Sequence, residues 1–213
     1  MPIATRHAPA EADENTSTAA AAAGKLGCKG AHTMSIGIFG GSFDPPHICH
    51  VLVCQYVLAM SEVERILVIP SSKHPFDKGQ TSFEHRLAMT QLAMQSLGAR
   101  VEVSAIESQR EGYSYTIDTV RALREIYPGE SFRLIIGTDI LGETDRWKEF
   151  DEVARLAPVL VVPRDAADHP AKGIFAFPAL SSTRVREALV RGEDVSAAIV
   201  PEVLGYIREK GLY

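Results

Sequence analysis

Apolar positions recur along the chain in two rhythms, short continuous runs and longer segments with helical spacing. Ile36, Ile38 and Phe39 make a run that stops at Gly40-Gly41, the pattern of a buried strand entering a glycine turn. After Pro45-Pro46, the segment from Val51 to Met60 is apolar over the length of a buried helix. Arg65 to Pro70 is a second buried strand, ended by proline. Thr81-Ser82-Phe83-Glu84 has the form of a capping box opening a helix with Leu87, Met89, Leu92, Ala93 and Leu97, and Gly98 closes it. Val101 to Ile106 predicts a third, shorter strand. Thr116 then stands as N-cap of a helix bearing Ile117, Val120, Leu123 and Ile126, which ends at Pro128-Gly129.

The second half repeats the rhythm. Phe132 to Ile136 predicts a fourth strand, and Ala157 to Val162 a fifth, ended by Pro163. Arg164 to Lys172 is polar and reads as a loop, and Ile174 to Leu180 predicts a final short strand. Leu180 to Arg186 opens a helix with Val185, Leu189 and Val190, and residues 199–207 predict a last short helix with Pro201 in its first turn. Strands alternating with helices imply an α/β fold, a doubly wound, mainly parallel sheet with right-handed crossovers. Residues 1–33 lack the rhythm: they are rich in alanine and small polar residues, without a signal peptide's apolar region. They read as a disordered N-terminal extension before one domain over 34–213, with Met34 as an alternative start.

Composition excludes several classes. A net charge of -5 and a pI near 5.8 leave no basic footprint for nucleic acid. No apolar run approaches the roughly 20 residues that span a bilayer, so no membrane partner is expected. Three cysteines, Cys28, Cys49 and Cys54, form no C-x-x-C pair, which indicates neither a disulfide framework nor a zinc knuckle. That usage points to the reducing cytoplasm. His47, Cys49 and His50 lie too close along the chain to converge on one tetrahedral ion, so no protein-held metal is expected.

The chemistry gathers after strands. His47 and His50 fall near the start of the first helix, three residues apart and on one face. A helix start collects unpaired N–H groups and partial positive charge, so two imidazoles there suit a triphosphate on which charge builds up during transfer. The stretch is neither a Walker loop nor G-x-G-x-x-G. Lys73, His74 and Lys78 lie in the loop after the second strand, a place for phosphate or a plain solvated loop. Gly137-Thr138-Asp139 follows the fourth strand, where an acidic residue can bind ribose hydroxyls or simply start a helix. Ser181, Ser182, Thr183 and Arg186 offer hydroxyls, amides and a phosphate fork at another helix start.

The stretch Ile36–His50 resembles the GxFDPxHxGH signature of the HxGH nucleotidyltransferase superfamily. Gly41, Phe43, Asp44, Pro45, His47 and His50 are in place, and Cys49 stands where that superfamily has glycine. With Gly137-Thr138-Asp139 and the 181–186 segment in the same order, and with Tyr115–Thr119, Trp147 and its neighbours, and the 70–78 loop, the chain resembles the bacterial nicotinate-mononucleotide adenylyltransferases. The resemblance implies a Rossmann-like nucleotidyltransferase fold and the conversion of ATP and nicotinate mononucleotide to nicotinate adenine dinucleotide and pyrophosphate. Mg²⁺ is then expected to ride on the ATP phosphates, in a monomer or homo-oligomer.

By position, the resemblance implies that His47, His50 and Arg186 act on the phosphates in flight. Gly40, Gly41, Gly137 and Asp139 would hold ATP, with Ser182, Thr183 and Arg186 on its β- and γ-phosphates. Ser42, Phe43 and Lys78 would hold the mononucleotide's phosphate, Trp147 would stack on the pyridine ring, and Thr116 would receive its carboxylate. A Cys49 side chain there implies crowding of the triphosphate and lower activity. Two other readings stay open: a phosphopantetheine adenylyltransferase, and a nucleotide-binding protein without turnover.

Overall fold

A computed structural model describes residues 34–73, 79–110, 112–163 and 177–213, so the readings of 1–33, of Lys78 and of the 164–172 loop lie outside the described residues. The strands are β1 (Ser35–Gly41), β2 (Arg65–Pro70), β3 (Val101–Val103), β4 (Ser131–Gly137) and β5 (Val159–Val162). They form one sheet in the order β3-β2-β1-β4-β5, with every pairing parallel. The principal helices are α1 (Ile48–Met60), α2 (Phe83–Met94), α3 (Thr116–Ile126), α4 (Thr138–Leu141), α5 (Phe150–Leu156), α6 (Ser182–Val190) and α7 (Pro201–Lys210).

Side-chain alternation along the strands explains the two layers. Ile66, Val68 and Ile135 face a core built with Val57 of α1, Met89 of α2, Val185 of α6 and Val203 of α7. Their neighbours Leu67, Ile69, Leu134 and Ile136 face a second core with Ile117 and Val120 of α3 and Val153 of α5. Each fully buried aliphatic side chain of this kind contributes about 1.5–3 kcal/mol of transfer free energy. Helices thus cover both faces, as expected of a doubly wound sheet.

The order of strands also positions the site. From the central β1 the chain winds outward through β2 to β3, then returns to the other side of β1 as β4. β1 stays paired with β2 as far as Gly41↔Pro70, and β4 with β5 as far as Gly137↔Val162. Between β1 and β4, however, the pairing stops at Ile38↔Leu134. The last three residues of each strand therefore part, opening a crevice at their carboxyl ends, the place where such sheets take ligands.

Several element edges differ from the sequence reading. β3 ends at Val103, and Ile106–Gln109 form a 3₁₀ turn instead of more strand, with Ile106 buried in the second core. β5 starts at Val159: the Ala157 N–H closes α5 on Val153, and Pro158 has no N–H to give. Residues 177–180 form no strand; Phe177 packs into the first core and the Leu180 N–H turns back to the Pro178 carbonyl. Residues 174–176 lie outside the described residues. At α2 the cap is Ser82, not Thr81, because the Thr81 N–H and carbonyl are taken by Asp44 and Arg86. Thr116 is the first helical residue of α3, and Tyr115 is its cap.

Candidate active site

The loop from Ser42 to His47 joins β1 to α1, and its backbone turn does not fall on the glycines. Gly40 and Gly41 are still strand, and the left-handed residue is Phe43, with φ 49°. Gly41 is needed for packing, since a Cβ would come within 3.1 Å of the Phe43 ring. Gly40 is exposed, and a Cβ there would meet nothing within 4 Å. The Phe43 side chain is itself buried and edge-on to Phe39 and His50, so only its backbone can meet a ligand.

His47 is the N-cap of α1 and His50 its third helical residue. Their rings stack, with centroids 3.8 Å apart. The His47 N–H donates to His50 Nδ1 at 3.0 Å, so that nitrogen holds a lone pair and the ring proton sits on Nε2. The hydrogen bond and the Phe43 contact hold the His50 ring in one orientation. His47 is buried and His50 half-buried. Cys49, between them, turns its thiol to the Pro178 carbonyl at 3.5 Å and is 1% exposed. It takes no room in the crevice, so the expected crowding does not arise.

α6 brings the second helix start to the same loop. The Ser182 hydroxyl donates to the Pro45 carbonyl at 2.9 Å, and the Arg186 guanidinium donates to the Asp44 carbonyl. Arg186 also donates to the Thr183 hydroxyl at 3.3 Å, at the edge of a shallow cavity of about 460 Å³ that Thr183, Arg186 and Tyr213 line. The Ser182 proton is thereby spent on tying α6 to the signature loop, while Thr183 is exposed. His47, His50, Ser182, Thr183 and Arg186 are thus brought together around Asp44 and Pro45.

Gly137 and Asp139 sit at the other lip of the crevice. Gly137 caps α4 and Asp139 lies exposed in its first turn. Trp147 is half-buried, edge-on to Phe150 at 5.9 Å, and packs against the second core. The next residue, Lys148, lies over the Tyr115 ring at 4.8 Å and 3.5 Å from Asp118. The tryptophan segment is therefore held against the start of α3, where Thr116 is half-buried.

Arg86 escaped the sequence reading. Arg86 is 1% exposed and donates to the carbonyls of Ser42 (2.8 Å), Ser71 (2.7 Å) and Thr81 (2.9 Å). It fastens the signature loop to the end of β2 and to the approach to α2, beside a cavity of about 370 Å³ that Lys73 and Tyr113 also line. A signal existed: Arg86 stands three and four residues before Met89 and Thr90, on the buried face of α2.

A crevice of this kind, with histidines and an arginine at two helix starts, suits a phosphate-bearing ligand, and residues 38–188 match the cytidylyltransferase-like family. A protein of Anaeromyxobacter dehalogenans strain 2CP-1 named "Probable nicotinate-nucleotide adenylyltransferase" is 39% identical over 181 residues, 84% of this chain and 96% of the relative. A protein of the same name from Myxococcus xanthus strain DK1622 is 35% identical over 182 residues, 84% of this chain and 95% of that one. The solved Plasmodium falciparum nicotinic acid mononucleotide adenylyltransferase complexed with NaAD has the same fold, with a TM-score of 0.70 at 23% identity, over 84% of this chain and 97% of that one. This chain belongs to the cytidylyltransferase-like family and, within it, to the nicotinate-nucleotide adenylyltransferases.

Proposed function

We propose that the protein transfers the adenylyl group of ATP to nicotinate mononucleotide, giving nicotinate adenine dinucleotide and pyrophosphate on the route to NAD. The observation that carries this reading is the pair of stacked histidines at the start of α1, with Arg186 of α6 bonded to the same signature loop, in a chain with relatives named for that reaction. An oxygen of the mononucleotide's phosphate attacks the α-phosphorus. The bond from that phosphorus to the bridging oxygen breaks, and pyrophosphate leaves with the electron pair. The nucleophile is already anionic, so no side chain has to take a proton; positioning and charge stabilisation supply the rate.

Each side chain then has a role. The His50 Nε2–H meets the oxygens of the α-phosphate as negative charge shifts onto them. Arg186 and Thr183 receive the β- and γ-phosphates. Gly40, with open space beside it, allows close approach of the nucleotide, and Gly137 and Asp139 meet its adenosine part. Trp147 stacks on the pyridine ring, and Thr116 with the amides at the start of α3 meets its carboxylate. Ser42 and Phe43 present backbone to the acceptor's phosphate, and Lys78 would add its charge there.

Mg²⁺ fits as an ion carried by the triphosphate. Among the described residues no cluster of His, Cys, Asp or Glu could hold a metal, and the Asp44 carboxylate is occupied by Thr81 and Tyr213. When bound, the ion neutralises charge on the leaving pyrophosphate. The cytoplasm is the proposed compartment. Free buried thiols support it: burial pushes Cys54 up to about 12, which keeps it protonated and inert. No helix of the described residues is long and apolar enough to cross a membrane.

Pyrophosphate release with ATP and, in turn, nicotinate mononucleotide, its amide and phosphopantetheine tests the acceptor. The carboxylate is expected to win over the amide by about tenfold or more in kcat/KM, because donors facing an amide NH₂ are left unpaired. Equal use of acid and amide would remove the carboxylate argument, and turnover with phosphopantetheine alone would replace the reading.

A further inference from the structure

We infer that the Tyr213 hydroxyl is a positioning group for ATP, keeping Arg186 turned toward the leaving phosphates by occupying the Asp44 carboxylate. The inference rests on the role given to Arg186 above. Asp44 is 2% exposed and sits in the signature loop. One of its carboxylate oxygens accepts the Tyr213 O–H and the other accepts the Thr81 N–H at 3.2 Å. Arg186 Nη1 lies 3.9 Å from that second oxygen, close enough for attraction and too far for a hydrogen bond.

A guanidinium beside a buried carboxylate ordinarily closes on it, since the two-pronged pair is short and strong. Here the carboxylate is already satisfied by two neutral donors. Arg186 instead donates to the Asp44 main-chain carbonyl and to the Thr183 hydroxyl. Those bonds use two of its five N–H donors, and the fork stands at the cavity it shares with Thr183 and Tyr213. Burial and the bond to the Asp44 anion both hold the Tyr213 phenol above its ordinary range, so it stays a donor at neutral pH. Without that hydroxyl, one Asp44 oxygen loses its donor, and Arg186, 3.9 Å from the carboxylate's other oxygen, is a cation placed to close on it.

Tyr213→Phe keeps the ring and removes only the donor. Calorimetric titration with MgATP and with AMP, in the absence of any acceptor, reads the effect without depending on the acceptor's identity. The expected result is a loss of MgATP affinity of about tenfold, the scale for one charge-assisted contact, with AMP affinity unchanged and Tm within a few degrees of wild type. In an Arg186→Ala background, Tyr213→Phe is expected to change MgATP affinity no further. Equal weakening of MgATP and AMP, an additive effect in that background, a large fall in Tm, or an unchanged MgATP affinity would each overturn the inference. Failure of the wild type to bind MgATP at all would instead count against the reading of the site.

Discussion

His50 shows how much chemistry one hydrogen bond can settle. Because its Nδ1 accepts the His47 N–H, its ring proton sits on Nε2, the donor proposed above for the α-phosphate. His50→Ala is expected to lower kcat by about a hundredfold or more, the scale for losing one transition-state donor, with the fold intact. Near-native turnover in that variant would show that the donor is not used. The neighbouring Cys49 calls for a different outcome. Its thiol is buried against Pro178, away from the crevice, so Cys49→Gly is expected to leave kcat/KM within about threefold. It should cost about 1–2 kcal/mol of stability through lost burial and helix propensity, measured by urea unfolding. A large rise in activity would bring back the crowding that the sequence suggested. Residue identity shows that a side chain replaces glycine at position 49; only packing shows which way it points.

At the scale of elements, strand and helix cores were legible from apolar spacing, and their ends were less so. The ends are set by distant partners. α2 starts one residue later than its capping box suggests because Asp44 and Arg86 claim the Thr81 backbone. β5 starts late because Pro158 cannot donate. Arg86 is the clearest case of an element-level role hidden in sequence, since a charged residue on an apolar face looks like a solvated one until its carbonyl partners are placed. Arg86→Lys keeps the charge and loses the planar fork. It is expected to cost about 1–3 kcal/mol for each carbonyl left unsatisfied, read as a lower denaturation midpoint. An unchanged midpoint would mean that the three loop ends hold their spacing without the guanidinium.

The whole molecule places its chemistry by topology. Alternation of strands and helices predicted the doubly wound sheet, and the signature after β1 and the glycine turn after β4 pointed to the carboxyl ends of those strands, where β1 and β4 part. What pattern could not supply is the parting of β1 from β4 beyond Ile38 and Leu134, or the way Tyr213, 169 residues along from Asp44, reaches the signature loop. Both depend on contacts across the chain, which leave no local periodicity. Residues 1–33 lack the apolar rhythm of the domain and read from the sequence as an extension apart from it. Deleting residues 2–33 is expected to leave Tm and kcat/KM almost unchanged. A fall of several degrees would show that the segment contributes to the folded domain.

The central claim is that the α-phosphorus of ATP moves, with its adenosine, onto the acceptor's phosphate. ATP labelled at the α-phosphorus, incubated with Mg²⁺, nicotinate mononucleotide and the protein, tests it most directly by following the label. The label is expected to appear in nicotinate adenine dinucleotide, with unlabelled pyrophosphate formed in equal amount. Label that stays in ATP, or is released as AMP without a dinucleotide, would contradict the account.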